Sequence, residues 1–96
     1  MSYEIVFGDK ALDRIPDWLP RQVLDALESS LKRLASDPVQ FGEPMVFPDP
    51  RRGLKYSFDC AHEGRTFYFV AYFYYLENES DLRVYDVTFD YWPPVQ

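Results

Sequence analysis

Four cations stand close together in the middle of this chain: Arg51, Arg52, Lys55 and Arg65. Lysine binds phosphate as a compact point charge and arginine as a planar, two-pronged donor. Arg51 and Arg52 could help hold an RNA backbone or pair with an acidic helix surface. Just beyond them, Tyr68, Tyr72 and Tyr74 hold even-numbered positions of "TFYFVAYFYY" (residues 66–75). Residues two apart on a strand share a face at roughly 7 Å. A row of this kind can stack bases, present polar-tipped area to a protein partner or a second copy, or lie under a loop or tail as a second small core. Cys60 and His62 are of metal-ligating type but lack neighbours in the sequence, and zinc takes four ligands or three and a water. No metal is expected, and His62 reads as a solvated turn residue.

The charge balance limits what the basic group can do. The chain has 96 residues and a formal charge of −6. A general electrostatic grip on nucleic acid needs a cationic field, so only a local basic patch is compatible with RNA binding. The length suits one domain over residues 1–96, with little core to spare. An aromatic fraction of 19% compensates, because aromatic rings carry large buried area. One cysteine rules out an internal disulfide and suits a reducing cytoplasm, the expected location. "MSYEIVFGDK" has neither the basic nor the apolar region of a signal peptide. No run is long enough for a membrane helix.

The elements that must position these groups follow from periodicity. "YEIVF" (3–7) predicts a strand ended by Gly8. Asp9 suits an N-cap for a helical turn or two over "KALDRI". Pro16 and then Pro20 can each restart a helix, since the missing N–H costs nothing at its first position. From Arg21, Leu24, Leu27, Leu31 and Leu34 form one apolar stripe, with Glu28 and Lys32 as an i,i+4 pair. Pro38 stops that helix. Residues 38–53 read as a long Pro-rich loop. Strands follow at 54–60, 65–75 and 82–92, joined by turns at 61–64 and 76–81, with a short tail at 93–96.

In the middle strand Phe67, Phe69, Ala71 and Phe73 are expected to meet the helices, leaving Tyr68, Val70, Tyr72 and Tyr74 outside. In the last strand simple alternation puts Tyr85, Val87, Phe89 and Tyr91 on one face. Leu82, Val84, Asp86, Thr88 and Asp90 fall on the other. The fold class is α+β: an N-terminal strand and two helices packed on one face of a four-stranded, mainly antiparallel sheet.

This layout resembles the RelE/ParE superfamily of small bacterial toxins. The likeness runs over nearly the whole chain. "YEIVFGDKALDRIPDWLPRQVLDALESSLKRLASDP" is similar to that family's strand, short helix with a leucine before a proline, and long helix ending in Leu-Ala-x-x-Pro. "GLKYSFDC" and "EGRTFYFVAYF" are similar to its middle hairpin. The resemblance implies a toxin of a toxin–antitoxin module. RelE-like members cut messenger RNA on the ribosome, ParE-like members poison DNA gyrase, and an antitoxin wraps and silences both. The cleavage needs no metal or cofactor. Basic groups hold the scissile phosphate, and a general acid or base moves the 2′-hydroxyl proton.

On the family pattern the catalytic candidates are Lys55, Arg65 and Tyr91. Arg51, Arg52, Tyr68, Tyr72 and Tyr74 are the binding candidates. Cleaving members usually carry an arginine just after an aromatic in the central strand. Phe67 matches the aromatic, and the following residue is Tyr68. Tyr91, beside Asp90, is the proton-transfer candidate at the end of the last strand. The basic set is thin, so a non-catalytic interaction or dimerisation domain on the same scaffold is the alternative expectation.

Overall fold

The structure, a computed structural model, describes residues 3–44, 53–75 and 80–93. It is α+β, with two helices and a mixed sheet. In chain order the elements are β1 (Glu4–Phe7), α1 (Arg21–Ser36), α2 (Pro38–Phe41), β2 (Glu43–Pro44), β3 (Leu54–His62), β4 (Arg65–Tyr75) and β5 (Asp81–Trp92). The sheet order is β1-β5-β4-β3-β2. The strands β3, β4 and β5 form an antiparallel meander, β1 runs parallel to β5, and the two-residue β2 continues the sheet beyond β3.

The expected helical turns over "KALDRI" are not a helix. Residues 9–15 form successive tight turns, in which Ala11, Asp13 and Ile15 N–H groups donate to Gly8, Lys10 and Leu12 oxygens. Pro16 follows at once, so the segment is too short to offset helix nucleation. Ala11 O instead accepts the Val87 N–H at 3.0 Å, tying the turns to β5. Pro16 starts no helix either. Pro20 does mark a start: it is the N-cap residue, and its oxygen accepts from Val23 and Leu24 N–H.

The leucine stripe is real, with Val23, Leu27, Leu31, Leu34 and Ala35 buried and Leu24 half-buried. Glu28 and Lys32 pair at 3.2 Å on the wet side. The helix ends before Pro38, but the chain does not become a loop there. Asp37 Oδ1 accepts from Gln40 N–H and caps α2, which has Pro38 in its first turn. Gly42 then passes so close that a Cβ would lie 2.7 Å from Pro38 O and 2.8 Å from Phe73 Cζ. The β3–β4 turn has positive φ at both Glu63 (50°) and Gly64 (77°), the backbone that matches strand twist in a two-residue hairpin.

The buried residues of α1 and the inward residues of the sheet form one hydrophobic cluster. Phe67, Phe69, Ala71 and Phe73 are buried in it, as alternation requires. In β5 the expectation fails. Tyr72 pairs with Asp86 and Phe73 with Val84, which leaves Tyr85 as an extra residue in a β-bulge. Leu82 and Val84, expected on the face opposite Val87, are fully buried with it, whereas Tyr85, expected to share the face of Val87, is 43% exposed. The bulge reverses parity, so Leu82 and Val84 before it share a face with Val87, Phe89 and Tyr91 after it. Across the bulge, on the edge beside β1, Val84 O accepts from Gly8 N–H and Val87 N–H donates to Ala11 O.

Two substitutions separate these faces. Val84→Asp buries an unpaired charge and is expected to cost at least about 3 kcal/mol. Tyr85→Ser is expected to cost about 1 kcal/mol or less. Urea unfolding would read both, and equal costs would contradict the bulge. Gly42→Ala is expected to lose about 1–3 kcal/mol by overpacking against Phe73, also read by urea unfolding; an unchanged midpoint would show that the approach is looser.

Candidate functional site

The face of β4 opposite the core collects the residues with chemical potential. Register sets them in rows across three strands. Asp59, Tyr68 and Asp90 form one row, Ser57, Val70 and Thr88 the next, and Lys55, Tyr72 and Asp86 the third. Tyr74 pairs with Arg83 in the row beyond. Tyr68 and Tyr74 are 44% and 41% exposed, while Tyr72 is half-buried. The bulge adds Tyr85, whose ring centroid lies 6.3 Å from those of Tyr72 and Tyr74, within the range of favourable ring pairing. Simple alternation could not find Tyr85. The signal was the spacing of Leu82, Val84, Val87 and Phe89, which keeps one apolar face only if a residue is inserted between Val84 and Val87.

The three catalytic candidates do not come together. Lys55 lies on this outer face, half-buried, between Tyr72 and Glu43 in register. Tyr91 lies on the core face. Its ring meets Trp18 at 5.4 Å, Phe89 at 5.6 Å and Phe67 at 6.1 Å. Arg65 has the parity of Phe67 and Phe69, opposite to the face of Lys55, and its Nε donates to Pro93 O at 3.0 Å. Tyr72 and Phe67, the register partners of Lys55 and Tyr91, are five residues apart in β4, or roughly 17 Å. A proton-transfer group must lie within hydrogen-bond reach of the reacting oxygen. No single phosphate can meet both Lys55 and Tyr91 with the sheet between them.

Other sequence candidates fall elsewhere. Arg51 and Arg52 lie outside the described residues. Cys60 and His62 have core-face parity, and the His62 Nε2 is 3.9 Å from Glu63 Oε2. Among the described residues no three histidine, cysteine or acidic side chains are grouped to hold a metal ion. Among them, too, no helix is long and apolar enough to cross a membrane.

Charge is distributed unevenly along the outer face. Asp86, beside Tyr72, pairs with Arg14 at 3.5 Å. Lys55 is also in that row. Tyr68 instead stands between two exposed carboxylates, Asp59 and Asp90. Asp90 Oδ1 accepts the Tyr91 N–H at 2.8 Å, which leaves its charge in place. Tyr68 is thus an aromatic ring flanked by anions. That environment repels phosphate and attracts cations.

No protein-family model, curated protein or solved structure significantly matches this chain.

The Arg14–Asp86 pair gives a direct check on the outer edge of this face. A double-mutant cycle with Arg14→Ala and Asp86→Ala is expected to yield a coupling of about 0.2–1 kcal/mol, smaller at high salt. Zero coupling at low salt would remove the pair.

Proposed function

We propose that this chain is a RelE/ParE-like protein of toxin–antitoxin type that works by binding a protein and has no RNA-cleaving centre. The observation that carries the second half is the separation of Lys55 from Tyr91 on opposite faces of the sheet. The Asp59–Tyr68–Asp90 row supports it further, because it sets anions where a cleaving enzyme needs a cation. The scaffold half rests on element order: a strand, a long helix running out at "LASDP", and a three-strand meander. Residues 9–15 depart from the family pattern, being turns in place of its short first helix.

On this reading the working surface is the tyrosine-bearing face of β4. Tyrosine suits it because a rigid ring with a polar tip gives contact area at low entropic cost. The partner is an antitoxin or the target that such a protein holds. A homodimer on the same face and DNA gyrase are the protein alternatives. The ribosome with its messenger RNA belongs to the cleaving reading.

The purified chain is expected to leave messenger RNA intact on translating ribosomes, assayed by primer extension without added metal. If expression arrests bacterial growth, Lys55→Ala and Arg65→Ala should arrest it equally. Specific cuts that vanish in those two variants would overturn the proposal and restore the endoribonuclease.

A further inference from the structure

We infer that the Asp59–Tyr68–Asp90 row anchors an arginine or lysine of a protein partner, whose segment lies extended along the outer face of β4. The inference deepens the protein-binding reading above and rests on it. Its first support is geometric. Three neighbouring strands bring the two carboxylates to either side of one exposed ring. Strands lie about 4.8 Å apart, so the two aspartate backbones are about 10 Å apart with Tyr68 between them. A guanidinium or ammonium over that ring is within cation–π range and can also donate to the carboxylates.

The second support is a contrast along the same face. Four residues along β4, Tyr72 has Asp86 beside it, and Asp86 receives the chain's own Arg14. At Tyr68 the carboxylates are present and no described residue supplies the cation. The carboxylate of the Tyr72 row is thus paired within the chain, and Lys55 stands on the other side of that ring, whereas both flanking residues of the Tyr68 row are carboxylates without an ion-pair partner among the described residues.

Charge and spacing choose the kind of partner. A polyanion is opposed by the two aspartates and by the chain's charge of −6. A protein segment with a cation is favoured. Rows along β4 repeat at every second residue, about 7 Å, which is also the repeat of side chains on one side of an extended peptide. A cation over Tyr68 then places the next inward side chain over Val70 and the following one over Tyr72 and Tyr85. The partner pattern is a basic residue, any residue, an apolar residue, any residue, and an apolar or aromatic residue, in either chain direction.

Panning a phage-displayed library of random decapeptides against the intact chain tests this. Enriched peptides are expected to carry that alternating pattern with its cation. The best one, synthesised, should bind Asp59→Asn/Asp90→Asn at least about tenfold more weakly and Tyr68→Leu about fivefold more weakly. Asparagine keeps a side-chain oxygen for the Tyr91 N–H, and circular dichroism would verify that the variants fold. The inference is overturned by failure to enrich peptides, by enriched peptides without a cation, by equal binding to the double variant, or by single-stranded RNA competing them off. The primer-extension result is separate: intact messenger RNA with no such peptides would remove only this inference, whereas cleavage would remove the protein-binding reading itself.

Discussion

A strand of twelve residues can keep one wet face only if its apolar residues hold one parity, and β5 changes parity halfway. Leu82 and Val84 are even-numbered, while Val87, Phe89 and Tyr91 are odd-numbered. The bulge at Tyr85 absorbs the difference, and much of the sheet depends on it. Before the bulge β5 pairs with β1; after it, Val87 N–H is held by the turn at Ala11. The same extra residue is pushed outward and completes a tyrosine group with Tyr72 and Tyr74. One inserted residue thus closes the core and enlarges the outer tyrosine group. Bulges commonly re-aim side chains near working surfaces in this way.

The core itself is built from rings. Phe58 stacks on Phe69 at 5.3 Å, and Phe67, Phe89 and Tyr91 continue the aromatic layer toward Trp18. In a chain of 96 residues this is an effective use of few side chains, since each ring removes a large area from water. It also explains the place of Tyr91. Its body is needed to finish the layer at the end of β4 and β5, so it cannot also stand among the cations on the opposite face.

The two faces of β4 consequently have unlike electrostatics. The inner one is apolar from Phe67 to Phe73, with no buried charged or polar side chain among the described residues. The outer one has tyrosines among charges of both signs, but at Tyr68 only anions are adjacent. A surface of this type differs from a phosphate-holding site in sign as well as in shape. Aromatic area with local charge is what protein interfaces use for specificity.

Much of this was legible in the residues. The helix over Arg21–Ser36 followed from leucines three and four apart, and β3 and β4 from alternation that survives in the structure because both strands are regular. The tyrosine row was legible for the same reason. Local pattern failed in three places. Residues 9–15 are turns, too short before Pro16 for a helix and tied to β5 through Ala11; part of the Pro-rich segment became α2, capped locally by Asp37, and β2, paired with β3; and β5 inverted its second half at the bulge. The sequence by itself determined the periodic elements and the stock of aromatic and charged side chains. Only the tertiary structure decided which of them share a face and stand in one row: Asp59 with Tyr68 and Asp90, and Lys55 away from Tyr91. The reason is that face and register in a sheet are set by pairing with another strand, which can shift by a residue where local alternation cannot.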